Sequence, residues 1–391
     1  MKKQNIFLIS ANPLGWRKTP YYGGGELITK SIIENIPLIN YMVVSTKNNC
    51  INIYKNIKVY QTITLNLFNS GILDPINFIL FTLQTIFYGY ILRKKINIVY
   101  ASTTNISDLL PAVITGKILN KPIITKLHIS IYNGNKNNLK NIYKNLKQEN
   151  HKLFLIIFKL LSISLSLKLL NYCNIVLCTN ENLKNNIENK INRNINVLVV
   201  PNGIDIKKIK NLIKNINKKI YDLCFIARLE KYKGIYSFID IVKTLKITFP
   251  NIKVIIIGVG PEYTNAISKV NSLKLHNNIK FTGFLNDARY KYLAQSKFLL
   301  SLSTSNEGWG LTIAESLACN THVICLSNTT LQNVYKNINR VEFFKNKEEI
   351  IEKLKEILNS KQNPNINIEN KFNIEKIAMI EEEILNVILT N

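Results

Sequence analysis

Acidic residues are scarce in this chain: 25 aspartates and glutamates stand against 51 lysines and arginines over 391 residues, a formal net charge of +26 at pH 7. Arginine is scarcer still, confined to Arg17, Arg93, Arg193, Arg228, Arg289 and Arg340, so nearly all the positive charge is lysine. Such an excess suits nucleic acid, anionic lipid or phosphorylated substrates. Lysine, asparagine and isoleucine also share A/T-rich codons, however, so biased base composition is an equally good source of much of the excess. No motif interleaves basic and aromatic residues, so a nucleic-acid partner has charge alone in its favour and is not expected. The few arginines carry more information than the many lysines.

Other absences narrow the field. Cys50, Cys173, Cys178, Cys224, Cys319 and Cys325 form no C-x-x-C pair and mostly lie in apolar runs. That pattern speaks against a zinc ribbon or a disulfide framework and predicts buried thiols in a reducing compartment, the cytoplasm. No apolar run reaches the ~20 residues of a spanning helix. The longest, 78–92, carries Thr82, Gln84 and Thr85, and no transmembrane segment is predicted. Residues 1–10 hold two lysines and a short apolar run without a cleavage pattern, and read as a first strand. No period of about 20 to 50 residues recurs, which excludes a solenoid.

What is there is a recurrence of short apolar runs with helical segments between them, the βαβ signature of parallel sheets covered on both faces. The runs are 5–10, 41–45, 96–101, 123–127, 175–178 and 197–200 in the first half, then 223–227, 254–258, 279–281, 298–303 and 322–326 in the second. At about 150 residues per domain, two doubly wound lobes follow. The expected division is an N-terminal lobe over 1–200, a polar linker over 201–219, a C-terminal lobe over 220–370, and a last helix over 371–391 that packs back on the first lobe. Within the first lobe, 152–170 is strongly apolar, but Lys159 and Lys168 fall on opposite helical faces, so a buried helix is expected there.

Open α/β sheets bind ligands at the carboxyl ends of their strands, and four loops there stand out. Gly23-Gly24-Gly25-Glu26 follows the first strand, where glycines let the backbone approach a phosphate or sugar; a plain flexible turn reads equally well. Ala227 to Gly234 reads A-R-L-E-K-Y-K-G. Arg228 offers a planar fork for two phosphate oxygens and Lys233 a movable point charge, against the alternative of a solvated basic loop. Asn306 to Glu315 reads N-E-G-W-G-L-T-I-A-E. Gly308 and Gly310 would free amides at a helix N-terminus to face an anion, while Glu307 and Glu315 could accept from two hydroxyl groups of one ligand. Taken singly, either glutamate also suits a wet helix face. His128 directly follows the run 123–127, a position that fits a structural histidine as well as a site residue.

These runs, together with V-V-P-N-G-I-D at 199–205 and G-V-G-P-E at 258–262, resemble glycosyltransferase family 4, in that family's order and over nearly the whole chain. The likeness is specific in the C-terminal half and loose in the N-terminal half. It implies α/β architecture in a GT-B fold, two Rossmann-like lobes facing each other across a cleft. The C-terminal lobe would hold a nucleotide diphosphate sugar and the N-terminal lobe a saccharide or lipid-linked acceptor. No metal or further cofactor is implied, and no D-x-D pair occurs. By the same resemblance Arg228 and Lys233 would neutralise the leaving diphosphate, Glu307 would contact the donor sugar and Glu315 the ribose. The backbone amides of Gly310 and Leu311 would face the phosphates, Gly308, Trp309 and Thr312 beside them and Gly24 and Gly25 of the other lobe would bind the donor, and Gly283 and Phe284 would lie beside the base. His128 would stand near the reacting sugar. The implied activity is retaining sugar transfer in cell-surface glycan or glycolipid synthesis, with contact to an anionic membrane left open. A non-catalytic nucleotide- or lipid-binding subunit of the same fold is the alternative, and an epimerase acting without an acceptor is another. The family's A-C-G-x-P-V run reads Ala318-Cys319-Asn320-Thr321-His322-Val323 here, and Asn320 is expected to adopt the left-handed backbone that glycine would have supplied.

Overall fold

A computed structural model describes residues 4–11, 24–46, 56–63, 75–128, 153–191, 195–304, 307–336, 338–359 and 372–390. The chain divides into two compact units, the first formed by Met1–Gly203 with Ile374–Asn391 and the second by Ile204–Asn373.

The strands of unit 1 are β1 (Gln4–Ser10), β2 (Ile39–Thr46), β3 (Ile57–Thr62), β4 (Ile98–Ala101), β5 (Ile123–Leu127), β6 (Ile175–Cys178) and β7 (Asn196–Val199). They form one parallel sheet in the order 3-2-1-4-5-6-7. Its helices are α1 (Gly24–Glu34), α2 (Pro75–Leu92), α3 (Ile106–Leu119), α4 (Leu153–Leu170) and α5 (Glu181–Glu188). Inner strands covered on both faces must be apolar throughout, as I-V-Y-A and I-V-L-C are. One face packs Phe7, Ile9, Val44 and Val99 against Phe81 of α2, Leu109 of α3 and Leu169 of α4.

In unit 2, β8 (Tyr221–Ile226), β9 (Val254–Ile257), β10 (Ile279–Phe281), β11 (Ser296–Ser301), β12 (His322–Leu326) and β13 (Val341–Phe344) pair in parallel in the order 10-9-8-11-12-13. Its helices are α6 (Ile206–Ile213), α7 (Ile235–Thr248), α8 (Tyr263–Ser272), α9 (Ala288–Ala294), α10 (Leu311–Ala318), α11 (Thr329–Val334) and α12 (Lys347–Asn359). Leu223, Phe225, Ile256 and Leu300 bury one face of this sheet against Ile239 and Val242 of α7. Cys224, Ile255 and Leu299 bury the other against Ile313 and Leu317 of α10.

The last helix, α13 (Ile374–Thr390), lies in unit 1 beside α1. It delivers a carboxylate into the sheet: Tyr100 donates to Glu381 Oε1 at 2.7 Å and Lys126 Nζ to Oε2 at 2.7 Å, with all three side chains buried. Burial first, and Glu381 second, push the phenols of Tyr41 and Tyr100 above their ordinary value.

Three expectations change against this structure. β3 and β13 stand at sheet edges, where one-sided burial breaks the apolar run into I-K-V-Y-Q-T and V-E-F-F and hides the strand from a search for continuous hydrophobicity. The segment expected as a linker, 201–219, contains α6, whose Ile206 and Ile209 are buried in the core of unit 2 and whose cap Asp205 accepts from Lys208 N at 2.8 Å. Isoleucines three apart outweigh the polar lysines between them, and the division falls at Gly203–Ile204. α4, expected to be buried, leaves Leu161 and Leu165 exposed while Leu169 and Leu170 are buried. Cys173, Cys178, Cys224 and Cys325 are buried free thiols pushed up to about 12 by burial, and Cys319 is buried and free too, whereas Cys50 lies outside the described residues. Among the described residues no helix is long and apolar enough to cross a membrane.

Candidate functional site

Strand order reverses between β8 and β11 in unit 2, and the carboxyl ends at such a reversal are where open α/β sheets bind ligands. The loops leaving both strands carry the residues singled out by sequence. They are laced together at backbone level: Thr304 N donates to Tyr232 O at 2.8 Å, and a Cβ on Gly234, whose φ is 86°, would stand 2.4 Å from Leu302 O. The loop after β9 presses on them as well, with Leu229 N donating to Val259 O at 3.0 Å and Glu262 N to Leu229 O at 3.0 Å. Gly258 has φ 138°, and a Cβ there would lie 1.9 Å from Ala227 O. Gly258→Ala is therefore expected to cost about 1 to 3 kcal/mol, read as a lowered urea midpoint of unit 2; an unchanged midpoint would mean that these loops are not held as tightly as drawn.

Within that frame Lys233 donates to Glu307. Tyr232 stands among Arg228, Glu230, Lys233 and Glu307: its ring lies 5.4 Å from Lys233 Nζ, and burial, then Glu230, push its phenol above the ordinary value against the pull of Arg228. Arg228 pairs with Glu230 at 3.1 Å but is 58% exposed, which leaves its guanidinium free to turn. Two cations and two carboxylates thus share one short loop system at the strand ends.

Glu307 leads into α10. Gly310, at φ 74°, caps that helix; any side chain there would meet Ile313 and Leu331 at 2.9 Å. The amides of Leu311 and Thr312 begin the helix, where no intrahelical acceptor exists, so the end attracts an anion. Trp309 stands apart from this role. Its indole is buried, edge-on to Phe372 at 5.5 Å and tilted against Tyr335 at 6.2 Å, and Tyr335 donates to Gly310 O at 3.0 Å. The ring anchors the loop from beneath.

Glu315, one turn into α10, is held by its neighbours. It is buried, takes Arg289 Nε at 3.1 Å and Nη2 at 2.5 Å, and accepts from Tyr290 Oη at 3.2 Å. Opposite charge and hydrogen bonding to Glu315 raise the Arg289 guanidinium above its ordinary value in spite of burial. Gly283, at φ 71°, accepts from Gly258 N at 2.8 Å, and Phe284 beside it is exposed. Asn320 has φ 56°, the left-handed backbone expected of it.

The remaining candidates belong to unit 1. Gly24 and Gly25 open α1, while Gly23 lies outside the described residues. His128 is buried after β5, with Nε2 3.2 Å from Ser102 O; a carbonyl only accepts, so Nε2 carries the hydrogen. Burial, then Lys126, lowers its pKa to about 3, so the ring is neutral and Nδ1, buried without a partner among the described residues, is an acceptor. Strand order also reverses in this unit, between β1 and β4, and Asp108 bridges the two strand ends. Its carboxylate accepts from Ala11 N at 2.7 Å, Ser102 Oγ at 2.7 Å and Thr103 Oγ1 at 2.8 Å. Asp108, Tyr232, Glu230 and Arg289 escape sequence reading; the scarcity of arginine was the one signal that could have pointed to Arg289.

Residues 205–373, nearly all of unit 2, match the family model of glycosyl transferases group 1. An uncharacterized glycosyltransferase of Methanocaldococcus jannaschii is 31% identical over 134 residues, 32% of this chain and 32% of that protein. An alpha-monoglucosyldiacylglycerol synthase of Acholeplasma laidlawii is 23% identical over 180 residues, 43% of this chain. The alignments span about a third of the first relative and 44% of the second. In three dimensions the likeness extends over the whole chain. Anabaena HepE, crystallised with UDP and glucose, matches with a TM-score of 0.70 at 16% identity, covering 97% of this chain and 99% of its own. Sucrose-phosphate synthase of Thermosynechococcus elongatus matches with a TM-score of 0.72 at 13% identity, covering 99% of both chains. At such identities the likeness speaks to fold, and the fold is the two-lobe Rossmann-like GT-B fold.

Proposed function

We propose that this chain is a retaining glycosyltransferase that moves a sugar from a nucleotide diphosphate sugar to a saccharide or lipid-linked acceptor without a metal ion. The observation that carries the reading is the meeting of Lys233, Arg228, Glu307 and the N-terminus of α10 on two laced loops at the reversal point of unit 2. A diphosphate settled on the α10 amides would draw the Lys233 ammonium and the exposed Arg228 fork to its oxygens. As Lys233 turns to phosphate, Glu307 would be released to accept from a hydroxyl of the donor sugar. Positive charge aimed at the departing diphosphate is the main demand of a route that retains configuration without a protein nucleophile.

Similarity to the group 1 model over unit 2 supports the reading. HepE was crystallised with UDP and glucose, which supports a nucleotide-sugar donor; the name of the Acholeplasma relative, a diacylglycerol glycoside synthase, supports a lipid-linked acceptor. The first test is a panel of UDP-, GDP- and ADP-sugars with EDTA present. A binding donor at one hundred times its Kd should stabilise the fold by about 2.7 kcal/mol, seen as a raised melting temperature. With an acceptor, proton NMR should show the donor's anomeric configuration kept in the product. Inversion, or transfer only on addition of a divalent cation, overturns the mechanism. Failure of every nucleotide sugar to raise the melting temperature overturns the donor assignment.

A further inference from the structure

α2 departs from the rule that a surface helix turns a polar face to water. Its inner side packs on the sheet through Phe81, Thr85 and Gly89, the last so close that a Cβ would stand 2.5 Å from Thr115 of α3. The opposite side is apolar as well: Ile79, Leu83, Phe87, Tyr90 and Ile91 recur at helical spacing and are each between 55 and 60% exposed. Isolated exposed apolar residues need no explanation, but a continuous stripe along one helix marks a surface that something covers.

Asp74 directly precedes α2, and beyond it the charge along the sequence is of one sign. Between Pro75 and Ser107 the sequence has no aspartate or glutamate, while Arg93, Lys94 and Lys95 follow directly on the helix and are all exposed. Arg93 lies over the Tyr90 ring at 4.2 Å, so guanidinium and phenol sit together at one end of the stripe. A second copy of a chain with net charge +26 would set the same three cations near one another, which like-charge repulsion opposes. An anionic lipid surface answers both features, because acyl chains accept the apolar stripe and lipid phosphates accept the basic triplet.

We infer that the outer face of α2, with Arg93, Lys94 and Lys95, is a docking surface for an anionic membrane. α2 lies in the plane of the headgroups, Leu83 and Phe87 enter the acyl boundary, and Tyr90 and Arg93 stand at headgroup level. If the proposed sugar transfer also holds, the surface brings unit 1 to acceptors that are themselves in the bilayer; the docking does not depend on that reading.

Flotation of the full-length chain with vesicles of phosphatidylglycerol and phosphatidylcholine, or of phosphatidylcholine alone, tests the inference. The chain should float with the anionic vesicles, and raised salt should weaken the binding. Leu83→Glu with Phe87→Glu should lower partitioning by about tenfold or more. Arg93→Gln with Lys94→Gln and Lys95→Gln should remove most of the salt dependence. Both variants should keep the far-UV spectrum, the melting temperature and any nucleotide-induced rise in it, which separates loss of docking from loss of the fold or the donor site. Flotation of the Leu83→Glu, Phe87→Glu variant equal to that of the parent, failure of the parent to float, or equal binding to neutral vesicles overturns it. So does a sedimenting dimer that this variant dissociates, which would assign the face to a second copy.

Discussion

Lys233→Ala is expected to lower kcat by about 10²- to 10³-fold, or roughly 2.7 to 4 kcal/mol of transition-state stabilisation, with the fold intact. The lysine ends a short 3-10 turn, Lys231–Lys233, closed by Gly234 in the left-handed conformation, so loop shape depends on the glycine and not on the ammonium. Removing the ammonium takes away charge that the proposed reaction needs most as the diphosphate departs, and such a loss falls on kcat more than on KM. Glu307 would remain without its cation at a position 23% exposed, where water can reach it. Arg228→Ala should act in the same direction. Its guanidinium is 58% exposed and its pair with Glu230 is worth little by itself, so stability should barely change while turnover falls. The two losses should not simply add, because both cations serve one pyrophosphate. Steady-state turnover with the donor identified by the nucleotide-sugar panel, alongside thermal melts, reads both effects. Unchanged kcat in both variants would refute the cationic-pocket assignment.

How much of this was legible in sequence follows from where each signal resides. Inner strands announce themselves because burial on both faces favours apolar residues: β5, β6 and β12 begin and end as expected, and so does β10 although it stands at an edge with Lys280 exposed. The edge strands β3 and β13 have one face wet and lose that signal, and α6 reads as linker because lysines surround its two buried isoleucines. The loops of the candidate site were legible because glycine, arginine and glutamate cluster directly after strands. What those side chains touch was not. Glu315 is gripped by Arg289, 26 positions earlier in the chain, and the Trp309 ring packs against Phe372. Contacts of that kind are set by which helices and loops meet beside the sheet, and a strand-by-strand reading of sequence contains no information on them.

The same limitation hid the pair that fixes α13, which carries the largest stability effect expected in this molecule. Glu381→Leu removes the counterion of Lys126, an ammonium 0% exposed on β5, and should destabilise unit 1 by about 3 to 5 kcal/mol because a buried charge is left alone. Lys126→Met should be comparable in sign, since it strands the carboxylate. Combining the two removes both charges, and the desolvation penalty that the pair itself carries disappears with them, so Lys126→Met with Glu381→Leu should recover much of the loss. One group still suffers in that variant: the Tyr100 hydroxyl, which donates to Glu381 at 2.7 Å, is left buried without an acceptor at a cost of about 1 to 3 kcal/mol. Adding Tyr100→Phe should remove that penalty too. The expected order of urea midpoints is therefore Glu381→Leu lowest, the double variant higher, and the triple variant highest of the three. The transition of unit 1 must be followed separately from that of unit 2, since two units need not unfold together. A double variant no more stable than Glu381→Leu would mean that packing of the leucine and methionine, and not the unpaired charge, sets the loss.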